Sequence, residues 1–252
     1  MSRPVVFHVP HSSAAIPPKD REHILLGEEQ LEAELLRMTD WYTDDLFREA
    51  AQECLTVRFP VSRLVLDPER FEDDSAELMA SRGMGVIYTK TASGERLREA
   101  PDPSLREEVI NKYYRSHHAI LTRAVEGFLV DHGMAMIVDC HSFPSRPLPY
   151  EINQSLDRPE ICIGTDEYHT PSELRETSCR VFKREGFTVD VNKPFAGALV
   201  PLKFYQKNRA ISSIMIEVRR DLYMNEATGD RQPGFPDLAR RLATATQSIL
   251  YG

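Results

Sequence analysis

An α/β fold is what this sequence predicts, and three observations carry the prediction. Strand-like apolar runs alternate with helix-like patterns over 252 residues, joined by short connections, as expected when helices pack on the faces of a sheet. Three of the runs, Val5-Val6-Phe7-His8-Val9, Met134-Ala135-Met136-Ile137-Val138 and Ile214-Met215-Ile216, each end in a polar cluster. The clusters read Pro10-His11-Ser12-Ser13, Asp139-Cys140-His141-Ser142 and Glu217-Val218-Arg219-Arg220. In an open α/β sheet ligands bind at the carboxyl edge, where strands stop and loops present polar groups around a crevice. Two histidines and a glutamate delivered to one such edge are the parts of a metal-dependent hydrolase.

The elements follow in chain order. After the first strand, Gly27 to Arg37 and Thr39 to Glu53 carry helical spacing, with Trp41, Leu46, Phe47 and Ala50 on one apolar stripe. Leu55 to Phe59 and Leu64 to Leu66 return to strand character. The segment from Phe71 to Pro101, rich in Asp, Glu, Ser and Gly, reads as a surface loop near a site. Asp102-Pro103-Ser104 opens a helix to about Val130, where Ser104 and Glu107 have capping-box spacing, and Gly133 ends it. Thr170-Pro171-Ser172-Glu173 starts another, with proline at its first position and Gly186 at its stop. Phe235 to Tyr251 forms a terminal amphipathic helix. There is no repeat, low-complexity tract or linker, so residues 1–252 read as a single domain, a length ample for one continuous core.

Composition narrows the partners. The chain is 41% hydrophobic and 28% charged with a net charge of -8 and a pI near 5.5, which argues against broad binding to nucleic acid or an anionic membrane. Cys54, Cys140, Cys162 and Cys179 are widely spaced and form no CxxC pair, which favours reduced thiols. No run approaches the roughly 20 apolar residues that span a bilayer, and no basic start precedes a long apolar stretch. The cytoplasm is the expected compartment.

Each candidate residue has a bland alternative. A histidine after a strand, such as His11, is more often hydrogen-bonded packing than a ligand, but Pro10 fixes its approach and Ser12-Ser13 serve no apolar purpose. His8 is expected to be a packing residue or a support for the site. Asp139 lies on the same strand face as His141 and could accept the ring hydrogen that metal leaves free, or simply cap a turn. Glu217 sits inside an apolar strand, where an unpaired carboxylate costs several kcal/mol. It is either a general base beside an activated water or an ion-pair partner of Arg219 or Arg220. Two histidines leave a catalytic zinc site one protein ligand short. Asp40 and Asp44, one helical turn apart, offer the missing carboxylate, though either could be a helix cap, Asp40 especially, since it precedes an amphipathic run.

In this order the residues resemble the N-formylglutamate amidohydrolase family. The resemblance rests on Pro10-His11-Ser12, Ile16-Pro17, Asp40 with Asp44, Ser62-Arg63 with Asp67 and Arg70, His141-Ser142-Phe143 and Glu217-Val218-Arg219, and it covers about residue 4 to residue 250. It implies a three-layer α/β/α sandwich with a mixed central sheet, related to the zinc carboxypeptidases. It also implies a metal-dependent hydrolase that removes a small N-acyl group from an amino acid, typically formyl from glutamate in histidine breakdown, yielding formate and glutamate. Carried over, the pattern makes His11 and His141 ligands of one divalent ion, zinc above others, with Asp40 the first choice of acidic ligand and Asp44 the reserve. Glu217 becomes the general base, and Arg63, Arg70 and Arg219 supply cations for substrate carboxylates. One departure matters: members often read Asp-x-Asn-Arg where this chain has Asp67-Pro68-Glu69-Arg70, and the charge on Glu69 is expected to oppose an acidic substrate. The partner is thus a small N-acyl amino acid. A non-catalytic metal- or metabolite-binding protein on the same fold, or a scaffold whose polar clusters are structural, are the competing readings.

Overall fold

The computed structural model describes residues 4–251. In chain order it holds β1 (Val5–Val9), α1 (Pro18–Arg21), α2 (Glu28–Met38), α3 (Thr43–Leu46), β2 (Leu55–Arg58), α4 (Pro103–Val109), α5 (Ser116–His132), β3 (Ala135–Phe143), β4 (Ile161–Gly164), α6 (Ser172–Arg184), β5 (Val189–Val191), β6 (Ile211–Arg219) and α7 (Phe235–Tyr251). The strands form one mixed sheet in the order β2-β1-β3-β6-β4-β5. The first four run parallel, β4 runs antiparallel to β6, and β5 follows β4.

Period-2 alternation sorts the side chains into two cores. Val5, Phe7, Val9, Val138, Cys140, Ile214, Ile216 and Val218 face a cluster with Leu46, Val181, Phe182, Leu238 and Leu242 from α3, α6 and α7. Val6, Ala135, Ile137 and Ile211 point the other way, against Leu121, Val125 and Phe128 of α5. The result is a three-layer α/β/α sandwich. His8, Asp139, His141 and Glu217 share the parity of the α5 face, so they emerge on one side of the sheet. His141 and Glu217 are register partners across β3 and β6, and His8 and Asp139 across β1 and β3.

Several local expectations change. Thr39 to Glu53 keeps only the single turn of α3: the left-handed Tyr42 (φ 64°) cuts it off from the residues before it, and it stops at Phe47. Leu64 to Leu66 is a buried turn, not a strand. The helix from 103 is interrupted by a π-helical turn over Ile110–Arg115, and its cap is Asp102, whose carboxylate accepts from Ser104 N and Leu105 N, not the Ser104–Glu107 box. Pro171 precedes its helix, acting as the cap residue. The 71–101 segment is more than a surface loop. Met79, Met84, Tyr88, Ala92 and Leu97 pack with Leu31, Met38 and Leu64 into a small core of their own. β4 and β5 fall outside the expected elements because the strands are only four and three residues long, and β5 carries Asp190 between its two valines. No helix among the described residues is long and apolar enough to cross a membrane, and none of the four cysteines forms a disulfide.

Candidate metal-binding active site

At the carboxyl ends of β1, β3 and β6 lies a cavity of about 390 Å³, within the usual span of small-molecule pockets, roughly 300–1,000 Å³. His11, Asp40, Arg63, Asp67, Glu69, Arg70, Asp139, His141, Glu217 and Arg220 line its polar side. The turn after β1 carries His11, and the His11 carbonyl accepts from Asp40 N at 3.0 Å, which ties the end of α2 to the sheet edge.

Each of the two histidines has one ring nitrogen held and one left over. His11 Nε2 meets Asp67 Oδ1 at 2.9 Å, and His141 Nδ1 meets Asp40 Oδ2 at 3.2 Å. Both carboxylates are themselves anchored. Arg220 Nη2 donates to Asp40 Oδ1 at 2.8 Å and Ser142 N to Asp40 Oδ2 at 3.2 Å. Arg63 Nη2 donates to Asp67 Oδ2 at 2.7 Å, as does the Tyr88 hydroxyl. The remaining nitrogens, His11 Nδ1 and His141 Nε2, are buried and make no hydrogen bond, and Glu69 Oε1 shares that condition. Glu69 Oε2 stands 3.1 Å from His141 Nε2 and 3.9 Å from His11 Nδ1. One ligand atom from each of His11, Glu69 and His141 lies within 4.8 Å of the others. Ligand atoms around a tetrahedral zinc ion with bonds of 2.0–2.1 Å sit about 3.3 Å apart, so the donor set fits a divalent ion. Asp67 behind His11 and Asp40 against His141 Nδ1 fix the tautomers that such an ion requires, and Asp40 Oδ2 also stands 3.7 Å from His11 Nδ1, slightly closer than Glu69 Oε2.

A chain of local contacts aims Glu69. Asp67 Oδ1 accepts from Glu69 N at 3.0 Å, forming an Asx turn around Pro68. His118 of α5 lies 2.8 Å from the Pro68 carbonyl, and burial pushes its imidazole down to about 4, which leaves it neutral and able to donate. His8 is fully buried between Asp139 (2.8 Å) and His117 (2.8 Å).

The electrostatics agree with this division of roles. Burial alone would raise Asp40, yet the adjoining imidazoles of His11 and His141 and the charge of Arg220 hold it well below the usual carboxylate range. Asp67 is likewise held down against burial by Arg63 and His11. Glu217 is the opposite case. Burial pushes it up to about 8 against the pull of His141, with the charge of Asp40 adding to the rise, and its Oε2 has no partner.

Of the residues singled out in the sequence, the structure brings His11, Asp40, His141, Glu217, Arg63 and Arg70 together. Asp44 is elsewhere. It pairs with Arg58 at 3.0 Å in a groove with Phe47 and Ala51, because the Tyr42 kink turns it away from Asp40. Arg219 is also outside, bonded to Asp221 at 2.7 Å and to the Arg158 carbonyl at 2.7 Å. β6 ends at Arg219, and the 3-10 turn that follows rotates Arg220 inward instead. Asp40 lies on the outer nitrogen of His141, the place expected for Asp139. Asp139 instead faces His141 Nε2 at 3.2 Å. Glu69, read from the sequence as a charge opposing substrate, lies among the histidines. Its signal was the dense Asp67-Pro68-Glu69-Arg70 cluster directly after a buried run.

Comparison with known proteins bears on this site. The family described as N-formylglutamate amidohydrolase matches residues 3–224. A curated N-formylglutamate deformylase of Pseudomonas putida is 23% identical over 231 residues, 88% of this chain and 82% of its own. The crystal structure of an N-formylglutamate amidohydrolase from Ralstonia eutropha JMP134 superposes with a TM-score of 0.83 at 24% identity, covering 99% of this chain and 94% of the other. That of a gene product from Agrobacterium tumefaciens gives 0.74 at 19% identity, covering 98% and 90%. At these identities the two structures establish a shared fold.

Proposed function

The chain belongs to the N-formylglutamate amidohydrolase family, and from that premise we propose that it is a single-domain, metal-dependent amidohydrolase that removes a small N-acyl group, formyl foremost, from an amino acid. N-formyl-L-glutamate, which would yield formate and glutamate, is the compound to test first. The observation that carries the reading is the pair of buried, unbonded ring nitrogens on His11 and His141 with the Glu69 carboxylate beside them. Imidazole and carboxylate donors of this kind suit zinc. His11, His141 and Glu69 would hold the ion, with Asp40 and Asp67 orienting the imidazoles.

Bound there, the ion supplies Lewis-acid polarisation of the amide carbonyl and acidifies water. Glu217 takes the proton of the attacking water and returns it to the leaving nitrogen, a role suited to a carboxyl whose pKa burial has moved toward neutrality. Arg63 and Arg70 grip the substrate carboxylate, which orients the amide for attack. Arg220 keeps Asp40 ionised. The absence of any disulfide suits a reducing cytoplasm.

The test is hydrolysis of N-formyl-L-glutamate by protein stripped with a chelator and then reloaded with zinc. Loss on stripping and recovery on reloading is the expected result. Equal hydrolysis by the stripped protein would overturn metal dependence, and no hydrolysis of any N-acyl amino acid by the loaded protein would favour a binding role.

A further inference from the structure

Among the described residues Arg63, Arg70 and Arg220 bring the positive side chains to the cavity lining. Arg220 is fully engaged: Nε donates to Ser142 Oγ, Nη1 to the Arg37 carbonyl and Nη2 to Asp40. The other two have capacity to spare. Arg70 Nε is buried without a partner, and Arg63 Nη1 comes no closer than 4.0 Å to Asp40. Both guanidiniums flank one carboxylate, Asp67, at 2.7 and 3.7 Å, so their spare donors share one corner.

A tyrosine stands beside that corner. Tyr150, from the segment between β3 and β4, lines the cavity and packs against the small core that holds Leu64 and Tyr88. Leu64 follows Arg63 in the chain, and the Tyr88 hydroxyl accepts from Arg63 Nε at 3.1 Å, so the Tyr150 ring sits on the arginine side. Its surroundings differ from those of the other tyrosines on the lining. The Tyr205 hydroxyl donates to Asp166 at 3.2 Å. Burial pushes Tyr114 up to about 12, and the charges around it are those of Glu72, Asp67 and Glu77. Burial likewise pushes Tyr150 up, which keeps its phenol protonated, but here the charges pulling the other way are Arg63 foremost, then Arg70 and Arg220. Among the described residues the Tyr150 hydroxyl has no hydrogen-bond partner, and it is not one of the buried polar atoms sealed from solvent. It is free for a group that enters the cavity.

The backbone that presents this ring is held from both sides. Arg82 Nη1 donates to the Tyr150 carbonyl at 2.8 Å. The next residue, Glu151, accepts from Leu148 N at 2.8 Å and pairs with the buried Arg158. We propose that Tyr150 is a specificity-determining residue whose hydroxyl donates to the substrate carboxylate gripped by Arg63 and Arg70. This rests on the amidohydrolase reading above and adds a residue to its substrate recognition. A hydroxyl rotates to suit its acceptor, and an O–H donor to a carboxylate forms one of the shorter and stronger classes of hydrogen bond.

Tyr150→Phe removes the oxygen and keeps the ring in its cluster. On zinc-loaded protein, KM for N-formyl-L-glutamate should rise about tenfold or more, as expected for losing a hydrogen bond to a charged group, while kcat stays within about twofold. The ratio of kcat/KM for N-formyl-L-glutamate to that for N-formylbutylamine, which has no carboxylate, should fall by the same factor. Glutarate, which has carboxylates but no amide to cleave, should bind the zinc-loaded variant about tenfold more weakly in calorimetry. Unchanged KM together with unchanged glutarate affinity would overturn the proposal. So would an equal loss with N-formylbutylamine, which would mark Tyr150 as a support of the site as a whole. If the parent hydrolyses no N-acyl amino acid but the variant still binds glutarate more weakly, the proposal stands and the hydrolytic reading fails.

Discussion

Two regions meet at the cavity and are held in place by different forces. β3 and β6 present His141 and Glu217 as register partners in a backbone ladder, so a side-chain change there leaves the main chain where it was. The turn at 67–70 presents Glu69 with no such ladder. Its position depends on side chains: Asp67 with His11, Arg63, Tyr88 and the Glu69 amide, and His118 with the Pro68 carbonyl. Substitutions in the strands should therefore remove chemistry without geometry, and substitutions in the turn should disturb both.

The sharpest test of that contrast is His141→Ala, which should abolish bound metal and activity together while thermal unfolding stays cooperative. Metal analysis showing full occupancy in the variant would remove His141 from the ligand set. Next comes Glu217→Gln, where metal should stay bound and kcat should fall at least about 10²-fold, with a much smaller change in KM. A variant that instead loses its fold would mark Glu217 as structural.

On the turn side, Asp67→Ala should weaken metal binding by roughly 10- to 100-fold, the usual cost of losing a carboxylate behind a ligating histidine. It should also lower Tm, since it leaves the buried Arg63 without its closest counter-charge. Unchanged affinity in a competition titration would show that the turn does not govern the ion. A subtler effect concerns pH. The folded protein holds the Glu217 proton up to about 8, against an ordinary 4.5. Between these values the folded state binds a proton that the unfolded chain releases, so stability falls as pH rises. In metal-free protein Glu217→Gln removes this penalty, and its Tm advantage over the parent should grow from about pH 5 to about pH 8. A constant offset would contradict burial of the acid. Smallest of all, Asp44→Asn should leave metal content and kcat/KM unchanged, because Asp44 belongs to the Arg58 groove. Any loss of metal would bring it back into the site.

The same contrast explains what could be read in the sequence. β1, β3 and β6 announced themselves by apolar runs ending in polar residues, and the alternation within β3 placed Asp139 and His141 on one face. Tyr42 gave no warning of its left-handed backbone, so Asp40 and Asp44 looked like neighbours on a helix that is only one turn long. The family resemblance pointed to Arg219, but β6 ends there and the turn that follows brings in Arg220 instead. Glu69 stood out by charge alone. Which way it points is decided by tertiary docking of the 67–70 turn onto His11 and α5, and local pattern does not encode that.

The pairing of His141 with Glu217 across one rung of a parallel ladder has a consequence for how such a protein can diverge. Strands slip only in whole residues, and a slip of one sends every side chain to the other face. Drift in sequence therefore has no small steps by which to adjust the separation of the Glu217 carboxyl and the His141 imidazole. It can retain the pair or lose it. The 195–202 stretch lies off the ladder, so its backbone can shift by fractions of a residue while the His141–Glu217 rung stays where it is.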